Sequence, residues 1–153
     1  MNPTVICSLA AITFLVAAAN APVVSGQTTD DSQVRPAVTK ADLQIIRRAR
    51  RILDSPASWN RADNRVCPKD ANVYSLYCAL EKATEEITNT FAHRGAAMQE
   101  ARFVIDEIAP NAHYEHRLMG YNNDPKTTFA DIQHVFDLLE KDIGKKLKEQ
   151  KNE

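Results

Sequence analysis

Apolar residues return at three- and four-residue intervals in four separate stretches, and that period commits the chain to amphipathic helices. The first stretch places Leu43, Ile46, Ala49 and Leu53 on one side, with Arg47, Arg48, Arg50 and Arg51 crowding the opposite arc. The second runs Val73, Leu76, Leu80, Ala83, Ile87; the third Met98, Ala101, Ile105, Ile108; the fourth Phe129, Ile132, Phe136, Leu139, Ile143. Each is punctuated as a helix should be. Thr39 and Thr128 are each followed three residues on by an aspartate, the arrangement in which hydroxyl and carboxylate satisfy the first free N–H groups. Asp70 is placed to cap the second helix, and Gly95 precedes the third. Ser55-Pro56 and Pro110 end the first and third, because the residue before a proline is driven away from helical backbone. Lys145, Lys146 and Lys148 suit the negative end of the last helix dipole. With glycine scarce and few alternating β-branched runs, the expected fold is all-α: a bundle of about four helices crossing near 20°. It carries two long loops, Ser55 to Lys69 and Asn111 to Lys126, and long ordered loops are more often functional than short ones.

Ahead of this domain lies an uncharged apolar run, Val5 to Ala19, which suits the core of an export signal. It falls short of the roughly 20 residues that cross a bilayer. Ala19-Asn20-Ala21 and Val24-Ser25-Gly26 are the two candidate cleavage sites, and Cys7 leaves with the signal at either. The expected organisation is a signal peptide over 1–26, a flexible leader over 27–38, a helical domain over 39–147 and a polar tail over 148–153. The mature chain then has no transmembrane span and works in the periplasm or outside the cell. About 125 residues remain, enough for one core. Nineteen Lys and Arg against twenty Asp and Glu give a formal charge of −1, which argues against general nucleic-acid binding.

Two cysteines remain, Cys67 in the loop and Cys78 well away from the stripe of the second helix. In an exported protein this pair reads as a disulfide that pins the loop back along the helix. The eleven-residue separation is not the C-x-x-C of a redox pair. The bridge requires the chain before the helix to double back, which is easier if the helix begins nearer Asn72.

Candidate chemistry is sparse. His113 and His116 stand three apart and on a helix would face one way and share a metal. Pro110 and Gly120 bracket them, however, and the order is not H-E-x-x-H, so a solvated loop without metal or other cofactor is expected. Asp124 is a candidate acid or base, with no serine–histidine or paired-carboxylate arrangement beside it. The arginine row, joined by Arg61 and Arg65, suits a phosphate or anionic surface, or neutralisation by acidic residues such as Glu86. The leading expectation is a non-catalytic exported domain that binds a protein partner or a small ligand through Trp59, Arg61, Arg65, Asn123 and Asp124. The alternative is a small metal-assisted hydrolase using His113, His116 and Asp124.

Four blocks carry a resemblance: Ala49-Arg50-Arg51-Ile52-Leu53 with Trp59 soon after, Tyr77-Cys78-Ala79-Leu80, Asn123-Asp124, and Thr128 ahead of the last helix. Together they resemble a family of small bacterial and phage domains known as domain of unknown function family 6197, over Ala41 to about Lys145. That family's pattern has glycine where Glu81 stands, tryptophan at Asn122 and arginine at Thr127. The resemblance implies a fold and no particular activity.

Overall fold

A computed structural model describes residues 33–152, and the regular elements within them are helices. The elements are α1 (Lys40–Ile52), α2 (Leu76–Thr88), α3 (Ala96–Ile108), α4 (Arg117–Asn123) and α5 (Phe129–Glu149), with a single 3₁₀ turn at Pro56–Ser58. The apolar run Val5 to Ala19, both cleavage sites and most of the leader lie outside the described residues. No helix among the described residues is long and apolar enough to cross a membrane.

The predicted stripes become the core. Ile46 and Ala49 of α1, Leu53 at its end, Leu76, Leu80 and Ala83 of α2, and Ile132, Phe136, Leu139 and Ile143 of α5 share one core, all fully buried. α1 packs on α2 and α5, while α3 packs on α4 and α5. Each such Leu, Ile or Phe contributes about 1.5–3 kcal/mol by leaving water. The caps form as the sequence demands. Asp42 Oδ2 accepts from Thr39 N at 2.8 Å and from Thr39 Oγ1 at 2.7 Å, and Asp131 repeats the pattern with Thr128. Asp42 does more, because its Oδ1 accepts from Ala97 N at 3.0 Å and so joins the starts of α1 and α3. At the other end of α1, Gln133 Nε2 of α5 donates to Leu53 O at 2.7 Å.

Three expectations need correction. α2 does not open near Asp70, and Val73, assigned to its stripe, is exposed ahead of it. Tyr74 N donates to Ser58 O at 2.8 Å and Asn60 N to Tyr74 O at 2.9 Å, so Tyr74 sits in extended backbone beside Trp59. Helix therefore starts one residue after Ser75, whose Oγ accepts from Cys78 N at 3.1 Å. Second, the loop expected from Asn111 to Lys126 contains α4, a fifth helix that includes Gly120. Glycine is required there by contact: a Cβ would lie 2.6 Å from Tyr114 Cδ1, so only a bare backbone lets that ring lie against the helix. Third, the last residues of the expected leader are packed. Val38 is in the core, Gln99 Nε2 donates to Val34 O at 2.9 Å, and Arg35 pairs with Glu107 at 3.3 Å and with buried Glu100 at 3.7 Å.

Three of the four arginines in the row are paired within the bundle. Arg48 pairs with Glu86, Arg47 with Glu140, and Arg50 with Asp137 and Glu140. These are surface pairs, each worth at most about 1 kcal/mol. Arg51, on the same arc, is exposed and stands outside these pairs.

Candidate functional site

The two long segments meet at the start of α2. Asn122, completely buried, makes every hydrogen bond its amide allows. Its Oδ1 accepts from Trp59 Nε1 at 2.8 Å and from Leu76 N at 3.0 Å. Its Nδ2 donates to Asn60 O at 2.9 Å and Asn123 Oδ1 at 3.0 Å. Asn123 then clasps the backbone of Asp63, accepting from its N–H and donating to its carbonyl, both at 2.8 Å. Arg61 reaches across to the carbonyls of Asp124, Pro125 and Thr127 at 3.0–3.2 Å, its guanidinium 5.1 Å from the Trp59 ring. Trp59, Arg61, Asn123 and Asp124 are thus brought together, where they hold one segment to the other and are largely occupied in doing so.

Arg65 faces elsewhere. It adopts left-handed backbone (φ 60°), held by its N–H donating to Asp63 Oδ1 at 2.7 Å, and it lines a cavity of about 220 Å³. Arg102 of α3 and Arg117 of α4 line the same cavity, with His93 from the α2–α3 turn and His116 from the chain before α4. Tyr77, Tyr114, Leu118 and Met119 complete the lining. The carboxylate at the rim, Glu115, is 91 % exposed along its side chain and lies 3.8 Å from His116 Nε2.

Arg102 is fixed by neutral acceptors. Its Nη1 donates to His93 O at 3.0 Å and Gln99 Oε1 at 2.6 Å, and its Nη2 lies 3.2 Å from His93 Nε2. Because a guanidinium only donates, His93 Nε2 accepts; the neutral ring then carries its proton on Nδ1, which faces the Tyr77 hydroxyl at 3.3 Å. Burial, reinforced by Arg102, Arg94 and Arg65, holds the His93 imidazole below its ordinary range, so it is neutral at pH 7. Burial also lowers the Arg102 proton affinity, opposed by Tyr77 and reinforced by Arg117 and Arg94, yet a guanidinium stays charged at neutral pH. Among the described residues no carboxylate pairs with Arg102. Arg117, by contrast, is bridged to Asp106 at 3.0 Å.

Tyr114 joins the cavity to the clasp, donating to Asp124 Oδ2 at 2.8 Å. Burial first, then Asp124, pushes its phenol up to about 12, and burial with Asp131 and Asp124 does the same to Tyr121. A raised value means that the folded state keeps protons the unfolded state loses above pH 10. Stability is therefore expected to hold below pH 10 and to fall progressively between pH 10 and about 12. Phenolate absorbance followed together with denaturation across that range checks this, and Tyr114→Phe and Tyr121→Phe should each flatten the decline.

The metal-assisted alternative does not find its ligands gathered. His113 lines a different cavity, with Asp106 and Ala112, while His116 faces the basic one. The Asp124 carboxylate is occupied by Lys126 N and the Tyr114 hydroxyl, which hold it below the usual carboxylate range. Among the described residues no group of three or more His, Cys, Asp or Glu side chains is placed to hold a metal ion. Of the basic cavity, Arg65 alone was a leading sequence candidate. Arg102, Arg117 and Tyr114 carried no local signal, since each reads as an ordinary polar-face or loop residue until α4 folds over α3.

The chain belongs to the family of unknown function DUF6197, whose profile matches residues 37–141. That span covers α1 to α4 and most of α5, and so both the clasp and the basic cavity. No curated protein and no solved structure matches the chain.

Proposed function

We propose that this protein is an exported, non-catalytic binding domain that takes a small anion in the cavity between α2, α3 and α4. The observation that carries this reading is Arg102, a half-buried guanidinium fixed by three neutral acceptors, with no carboxylate partner among the described residues. A desolvated cation positioned in this way is a preformed partner for an oxyanion, because charge-assisted hydrogen bonds are strongest where water is excluded. Arg65 adds charge to the same cavity. Export is supported by the Cys67–Cys78 disulfide, a bond that persists in oxidising compartments, and by the apolar run ahead of the domain.

The test is a titration with inorganic phosphate followed by amide NMR. Shifts are expected to cluster at Tyr77, His93, Arg102 and Leu118, and Arg102→Gln should weaken binding by about tenfold or more, the scale of a lost hydrogen bond to a charged group. Arg65→Gln, on an exposed loop, gives a second reading should the first variant fold poorly. Shifts spread evenly over the surface, or equal binding by both variants, would overturn the proposal.

A further inference from the structure

We infer, resting on that anion site, that the natural ligand class is a phosphate monoester carrying a ring-sized organic group. Two properties of the cavity lead there. The first is size: about 220 Å³ exceeds the ~150 Å³ of an apolar cavity that takes up benzene, so a bare tetrahedral oxyanion leaves space unfilled. The remaining lining is suited to a carbon body. Leu118 and Met119 line it with aliphatic and thioether carbon, and Tyr77 and Tyr114 line it with aromatic carbon.

The second property is charge. Of the three guanidinium-bearing residues that line the cavity, Arg117 is bridged to Asp106, which leaves Arg65 and Arg102 to supply the positive charge against one carboxylate exposed at the rim. A phosphate monoester carries about −1.5 to −2 at pH 7 and three acceptor oxygens. A carboxylate offers half that charge and two oxygens, and leaves part of the donor set without a partner. A polymer of phosphodiesters is disfavoured by the chain's near-zero net charge, which supplies no extended basic track.

The experiment is calorimetric titration of the oxidised domain with phenyl phosphate, inorganic phosphate and benzoate at one ionic strength. Phenyl phosphate should bind about tenfold or more tighter than either of the others, the scale set by burying a small ring. Met119→Ala should narrow the gap between phenyl phosphate and inorganic phosphate. Phenyl phosphate no tighter than inorganic phosphate overturns the organic group and leaves the anion site standing. Benzoate equal to phenyl phosphate overturns the phosphate. Absence of binding by all three, or phenyl phosphate binding unchanged in Arg102→Gln, brings down this inference and the anion site together.

Discussion

Asn122→Ala should remove about 3–4 kcal/mol of folding stability, because it leaves several buried polar groups without partners at once. The side chain is fully buried and makes four hydrogen bonds, two accepted and two donated. Truncation strands the Leu76 N–H in the first turn of α2, the Trp59 indole N–H and the Asn60 carbonyl. It also opens a cavity that neighbouring side chains cannot fill with polar atoms. Trp59→Phe removes one of these bonds and should cost about 1 kcal/mol, the usual net worth of a single hydrogen bond. The difference between the two variants therefore isolates the network from its tryptophan arm. Urea denaturation gives the free energies, and Trp59, the chain's one tryptophan, reports release of the loop by a red-shifted emission. A loss below about 1 kcal/mol for Asn122→Ala would show that the two segments are held by packing instead.

That network also explains what sequence reasoning reached and where it stopped. α1, α3 and α5 follow from three–four spacing between clear caps, because each buries its own stripe and needs no distant partner to define its ends. α2 was begun too early because Asp70 and Ser75 are both competent N-caps, and the choice between them is made by Tyr74 pairing with Ser58 and Asn60. α4 has no signature in the sequence, because a seven-residue helix containing Gly120 shows too little period. It exists because Tyr114 seats against that glycine and Asn122 and Asn123 anchor its end. Trp59 and Asn123, 64 residues apart, stand out in the sequence as candidates for a partner surface, and the fold uses both to tie one segment to the other. Arg102 was invisible for the opposite reason. On α3 it sits between Ala101 and Phe103 as an ordinary polar residue, and only the fold of the His93 turn over it makes its charge unusual.

Replacing both cysteines, Cys67→Ala with Cys78→Ala, should cost about 3 kcal/mol in the chain-entropy picture of a loop this short. It should also weaken the anion site. The bridge joins Cys67 to the first turn of α2 with Cα atoms 5.3 Å apart, and it is the late start of that helix that brings them into range. Arg65 lies two residues before the bridge, in left-handed backbone that an arginine adopts only when its surroundings impose it. Upstream, Asp63 is clasped by Asn123; downstream, the disulfide is the nearest fixed point. Between them Asn64, Arg65 and Val66 are exposed, so little other packing holds Arg65 toward the cavity. Without the bridge the arginine samples solvent, and phosphate affinity should fall to the level of Arg65→Gln in the intact protein. Combining Arg65→Gln with the cysteine replacements should then cost no further affinity, the non-additivity expected of two changes acting through one contact. Calorimetry on the three variants, with circular dichroism confirming equal helix content, supplies the cycle. Additive losses would mean that the bridge supports the cavity through α2 rather than through Arg65. Unchanged affinity on removal of the bridge would assign it to stability alone.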